Sequence, residues 1–176
     1  MKNSSQISLQ ILRTALAAAA MSAGIWAAPV MAGPQEVALL QSYVGEWRGR
    51  GTMTGANQET VVCRLSLTQG NQDKVNYSGR CTVAGNTLSI NGTLAYVDAA
   101  RRYEAAMTTN AQFSGIAVGQ RRGNGVVFNL RERERDEGRD LTINAQIALS
   151  NSAINVQFHV VYDTGENLRA TVPFSR

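Results

Sequence analysis

From Gly45 onward, apolar and polar residues alternate with period two in short runs, the pattern of strands that bury one face. In residues 59–69, Val61, Cys63, Leu65 and Leu67 alternate with Val62, Arg64, Ser66 and Thr68. In residues 74–84, Val75, Tyr77, Gly79, Cys81 and Val83 alternate with Asn76, Ser78, Arg80 and Thr82. Gly70, Asn71, Gln72 and Asp73 supply the turn between the two runs. Folding that hairpin about Gln72 sets Cys63 opposite Cys81 and pairs Leu65 with Gly79, Leu67 with Tyr77 and Val61 with Val83. Both cysteines and the apolar residues of the two inward sets then fall on one face, as period-two geometry requires. A structural disulfide between Cys63 and Cys81 is the expected result.

Similar runs recur about every ten to twelve residues. They predict strands over residues 45–54, 59–69, 74–84, 87–97, 101–109, 113–120, 125–132, 140–150, 153–163 and 168–174. The intervening turns read Ala84-Gly85-Asn86, Asp98-Ala99-Ala100, Gly123-Asn124-Gly125, Asn151-Ser152 and Thr164-Gly165. One segment, 34–44, has helical spacing, with Pro34 at its start and Val37, Leu40 and Val44 on one side. The predicted fold is all-β: an antiparallel up-and-down β-barrel of about ten strands with this short N-terminal helix capping one end. Closure is favoured because it leaves no exposed sheet edge.

The first residues have a different character. Lys2 and Arg13 flank a positive start, Ala15 through Ala28 is an alanine-rich apolar run, and Val30-Met31-Ala32 is a small-x-small site before Gly33. Residues 1–32 therefore read as a cleavable secretory signal and 33–176 as the barrel domain, periplasmic or secreted from a bacterium. The apolar run falls short of the roughly 20 residues of a spanning helix, so no stable membrane insertion is expected after cleavage. Lys2 and Arg13 would leave with the signal, lowering a formal charge of +4 by two. That balance is too mild to imply a nucleic-acid partner.

Gly45-Glu46-Trp47, opening the first strand, resembles the Gly-x-Trp of the calycins, the lipocalin and fatty-acid-binding-protein group. The longer run Leu39-Leu40-Gln41-Ser42-Tyr43-Val44-Gly45-Glu46-Trp47-Arg48-Gly49-Arg50-Gly51 is similar to nitrobindin and its ten-stranded relatives, whose first strand reads Leu-x-Gly-x-Trp-x-Gly-x-Gly. Leu94-Ala95-Tyr96-Val97-Asp98 followed by Arg102-Tyr103 resembles their Tyr-Asp-Pro hairpin, with the proline missing and the spacing changed by a residue. The resemblance implies a structural Trp47 stacked on a late arginine, Arg169 or Arg176. It also implies a haem-ligand position in a His-Leu-x-Ala pattern, which here reads Asn167-Leu168-Arg169-Ala170. An amide at Asn167 does not supply the imidazole nitrogen that such iron takes. The single histidine, His159, shares its parity with Asn155, Gln157, Val161 and Asp163, and is expected to face solvent.

Catalytic signatures are missing: there is no His-Glu-x-x-His, no Gly-x-Ser-x-Gly, no phosphate-cradling loop and no Cys-x-x-Cys. One histidine and a bridged cysteine pair leave no zinc spacing, so neither metal nor cofactor is expected. Residues 131–140 hold four arginines against Glu132, Glu134, Asp136, Glu137 and Asp140, and read as a strand end, a solvated turn and a strand start. Within the barrel, the cavity candidates are Trp47, Leu67, Tyr77, Tyr96, Phe128, Phe158 and Tyr162, interrupted by Gly49, Gly51, Gly79, Gly92 and Ala145. Small barrels either fill their inside or leave room for one small ligand. The reading is a non-catalytic binding protein for a small apolar or amphipathic molecule. Its alternative is a filled envelope protein that docks a protein partner through residues 131–140 or the Arg121-Arg122 turn; a haem-binding or enzymatic barrel, an isomerase or hydrolase, comes third.

Overall fold

A computed structural model describes residues 33–136 and 138–176 of the chain. The predicted signal, 1–32, lies outside the described residues. Ten strands follow one helix, α1 (Gly33–Gln41): β1 (Gly45–Thr54), β2 (Gln58–Gln69), β3 (Val75–Val83), β4 (Asn86–Val97), β5 (Arg102–Thr109), β6 (Ser114–Arg122), β7 (Gly125–Asp136), β8 (Arg139–Leu149), β9 (Ile154–Tyr162) and β10 (Asn167–Ser175). Each strand pairs antiparallel with the next, and β1 pairs with β10 to close the barrel. Among the described residues no helix is long and apolar enough to cross a membrane.

The β2–β3 register is the predicted one, with Cys63 opposite Cys81, Leu65 opposite Gly79 and Leu67 opposite Tyr77. Gln72 and Asp73 take left-handed conformations, φ 55° and 61°, to turn the chain. The two cysteines are bonded, with their Cα atoms 4.0 Å apart. A bridge over a loop of this length contributes about 3 kcal/mol in the chain-entropy account.

Interior glycines face large side chains directly across the ladder: Gly49 faces Phe174, Gly92 faces Tyr77 and Gly119 faces Phe128. A Cβ at Gly92 would lie 1.9 Å from the Ala106 carbonyl oxygen and 2.5 Å from the Tyr77 hydroxyl. The missing side chain lets β4 coil inward while Tyr77 crosses over it. The interior glycines thus accommodate bulky neighbours rather than leaving empty gaps.

Two elements depart from the sequence expectation. Strand β7 continues to Asp136, so the charged run is mostly strand, and Gly138 at φ 83° carries the turn. Alternating arginine and acid suits a strand as well as a loop, because period two is all that the ladder asks of it. The helix stops at Gln41, and the residues wholly buried beneath it are Leu40 and Tyr43, whereas Val37 and Val44 are half-buried. The chain has left helical geometry at Ser42 and turns Tyr43 down into the barrel.

Helix α1 lies across one barrel end and is tied to several strands. Gln41 Nε2 donates to the Lys74 carbonyl at 3.3 Å, and the Tyr43 hydroxyl donates to the Leu149 carbonyl at 3.5 Å. Glu36 accepts from the Tyr103 hydroxyl and pairs with Arg121 Nη1 at 3.1 Å. Beneath it Val75, Tyr103, Val126, Phe128 and Ile154 are almost completely buried.

Candidate functional site

The barrel interior divides into a sealed half and an open half. In the sealed half, Trp47 is fully buried, its indole Nε1 donates to the Tyr43 carbonyl at 3.0 Å, and the Arg176 guanidinium stacks on its ring at 4.4 Å. Of the two arginines expected there, Arg176 takes the role, and its Nη2 also donates to the Ser42 carbonyl at 2.7 Å. Leu67 and Phe128 are likewise enclosed, at 2% and 0% exposure. Tyr96 is half-buried and packs edge-to-face on Tyr103, which packs in turn on Phe128.

Away from the helix the cover is mixed: Val61, Cys63, Leu141, Ile143 and Val160 are buried, whereas other inward side chains are only partly covered. Phe158 and Tyr162 are half-buried, as are Met53, Met107, Phe113 and Leu168; Tyr77 and Ile147 are also half-buried but stand directly opposite Leu67 and Phe128. One inward row across four strands reads Ala145, Phe158, Ala170, Met53, so small side chains flank Phe158 on both sides. The Tyr77 hydroxyl donates to the Ala106 carbonyl at 2.9 Å. At the mouth, Arg139 stacks over Tyr162 at 4.6 Å and pairs with Glu166 at 3.1 Å.

Glu132 and Glu134 were not anticipated at this mouth. Glu132 is opposite Ile143 and Glu134 opposite Leu141, both buried inward residues, so these carboxylates stand on the lumen side while Arg131, Arg133 and Arg135 stand on the outer wall. The signal was present in the strict alternation Arg-Glu-Arg-Glu-Arg, which a turn reading hides.

Burial pushes the hydroxyls of Tyr43, Tyr77 and Tyr103 above the ordinary tyrosine range; at Tyr103 the bond to Glu36 adds to the same direction. The fold therefore favours their protonated forms. Their contribution is complete below the unfolded tyrosine value near 10 and is lost as pH climbs above it, by about 1.4 kcal/mol per pH unit for each tyrosine. Parallel alkaline titrations by tyrosinate absorbance and far-ultraviolet circular dichroism should show these three ionising only as the barrel unfolds. Complete ionisation of all five tyrosines in an intact barrel would contradict the burial described here.

His159 is half-buried rather than freely solvated, and its Nε2 is buried with no hydrogen-bond partner. It sits on the outer wall directly opposite Asn144 on β8 and Arg169 on β10, at strand spacing. Asn167, where the nitrobindin resemblance would put a haem ligand, is exposed and alternates with the inward Leu168. Neither residue aims a nitrogen into the lumen, so these side chains do not fit a haem. Among the described residues no group of three or more histidine, cysteine or acidic side chains is arranged to hold a metal.

No family model and no curated protein matches the sequence. Several solved structures resemble the barrel. Rv2717c from M. tuberculosis superposes with a TM-score of 0.58 at 13% identity, covering 81% of this chain and 96% of that one. The fold is calycin-like. The S-type phycobiliprotein lyase CPES from Guillardia theta follows at 0.49 and 9% identity, over 82% and 92% of the two chains. A redesigned β-barrel, mFAP0, bound to DFHBI, gives 0.41 and 14%, over 78% and 99%. At such identities the likeness is one of fold.

Proposed function

We propose that this chain is a periplasmic or exported, non-catalytic binding protein, related to the nitrobindin-like calycins, that holds a small apolar or amphipathic molecule in the half of the barrel away from α1. The observation that carries this reading is a difference in cover among the inward apolar side chains: those beneath the helix are sealed, whereas at the other end Met53, Phe158, Tyr162 and Leu168 are partly uncovered beside the buried Val61, Leu141, Ile143 and Val160. Tyr77, Phe158 and Tyr162 contact the ligand, with Met53 and Met107 adapting to its shape. Trp47, Leu67 and Phe128 form the floor, and Tyr96 supports it. Glu132 and Glu134 at the mouth favour a polar end that is neutral or positively charged.

The test is a titration with the neutral fluorophore N-phenyl-1-naphthylamine, using protein expressed with its own N-terminal segment and recovered from the periplasm. Ala145→Phe places a ring beside Phe158, in the space the ligand would occupy. It is expected to weaken probe binding at least about tenfold, the equivalent of 1.4 kcal/mol, while leaving the unfolding midpoint nearly unchanged. Equal affinity in the two proteins would place any bound molecule elsewhere. The denatured mass of the same sample reports whether cleavage occurs before Gly33.

A further inference from the structure

On the outer wall, Arg48, Arg64 and Arg80 stand directly opposite one another on β1, β2 and β3. Neighbouring strands are separated by roughly 4.8 Å, so three guanidinium stems rise side by side in one row. Like charges in direct register are destabilising, and a sheet normally places an opposite charge there. No ion pair or side-chain hydrogen bond engages any of the three among the described residues, and all are exposed. Four arginines elsewhere on the barrel are paired: Arg102 with Glu104, Arg121 with Glu36, Arg135 with Asp140 and Arg139 with Glu166.

The surroundings deepen the imbalance. Arg50 and Arg169 share the outer side of the neighbouring β1 and β10 positions, and across β10 and β1 to β4 the outward carboxylate among the described residues is Glu46 alone. Glu46 accepts a hydrogen bond from the Ser66 hydroxyl. The row borders a concavity of about 250 Å³ whose walls include Arg64 and Arg80, the hydroxyls of Ser66, Ser78 and Ser89, and the Asn91 amide. Two positively charged forks, a set of hydroxyl and amide groups and the one carboxylate of Glu46 thus line one hollow, with the positive charge in excess.

We infer that this hollow is an anion site for a molecule bearing a phosphate or diphosphate group, with Arg64 and Arg80 gripping the oxyanion and Arg48, next in the row, adding positive charge at its border. Arginine forks bind phosphate oxygens in pairs, which a lysine does not do, and adjacent forks at strand spacing can hold two linked phosphoryl groups. Ser66, Ser78, Ser89 and Asn91 then address hydroxyls on the attached group, beside Glu46. The site lies outside the barrel wall and does not depend on the lumen holding a ligand.

Inorganic pyrophosphate, titrated calorimetrically into the full chain, is the probe. Binding should weaken as salt is raised, and Arg64→Gln with Arg80→Gln should weaken it at least tenfold. Without anion, the same double variant should melt at a higher temperature, because the repulsion in the row is relieved. Arg135→Gln, on another part of the wall and paired with Asp140, should leave binding unchanged. Competition by phosphatidylglycerol vesicles but not by phosphatidylcholine vesicles would identify a lipid headgroup as the source; no competition by either would identify a soluble ligand. Pyrophosphate that fails to bind, or binds the double variant as tightly as the original, overturns the inference.

Discussion

Trp47→Ala is expected to remove about 3–5 kcal/mol of unfolding free energy, the range for emptying a buried aromatic site. The indole is fully buried at the sealed end, where α1, β1 and Arg176 meet around it. Its loss opens a cavity that rigidly paired strands cannot collapse into. It also strips the Tyr43 carbonyl of its donor, which contributes about 1–3 kcal/mol when a buried acceptor is left alone. Small domains have about 5–15 kcal/mol in all, so the variant sits close to unfolding at room temperature. Trp47→Phe separates the two effects, since it restores much of the volume and leaves the carbonyl unpaired; it should lie between alanine and the original. Urea unfolding followed by far-ultraviolet circular dichroism gives all three values, and an alanine variant within about 1 kcal/mol of the original would mean that this end is loosely packed.

Gly51→Ala is expected to destabilise by about 3 kcal/mol, the upper end of the usual overpacking range. The added Cβ would lie 1.9 Å from the Thr171 carbonyl oxygen and 2.8 Å from the Val172 Cα, both backbone atoms of β10. A rotamer change relieves nothing there. The β1–β10 seam must part, and that seam is the one joining the two ends of the strand sequence into a closed barrel. Opening it would uncover two sheet edges, so the variant should also aggregate more readily. Thr52→Ala, on the exposed side of the same strand, is the control and should change stability by less than about 0.5 kcal/mol. Equal midpoints for Gly51→Ala and Thr52→Ala would show that the seam tolerates a side chain.

Much of this barrel was legible in the sequence because its decisive signals are local. Alternation at Val61, Cys63, Leu65 and Leu67 declares a strand and its buried side without reference to any other part of the chain. The β2–β3 pairing followed because a short turn leaves few registers, and one of them puts both cysteines together with Val61, Leu65, Leu67, Tyr77 and Val83 on the inward face. Where local signals conflict, the reading failed: the dense charge of 131–136 suggested a turn, and the alternation beneath it was the stronger fact. Parity places His159 on the outer wall, yet it is half-buried there, between Asn144 and Arg169 on two other strands that no single run announces. The inward set of candidate ligand residues was readable, but its division into buried Trp47, Leu67 and Phe128 beneath the helix and half-buried Phe158 and Tyr162 toward the other end, with half-buried Tyr77 opposite Leu67, was not.

By itself, then, the sequence determined the strands, their turns, the inward and outward side of each, and the Cys63–Cys81 bridge, all of which follow from period-two alternation and short-range turn chemistry. Only the tertiary structure decided which barrel end α1 seals, how Gly51 lets β1 meet β10, and that Arg48, Arg64 and Arg80 form one row. Those outcomes depend on registers between several strands at once, and register is set by the burial of side chains far apart along the chain.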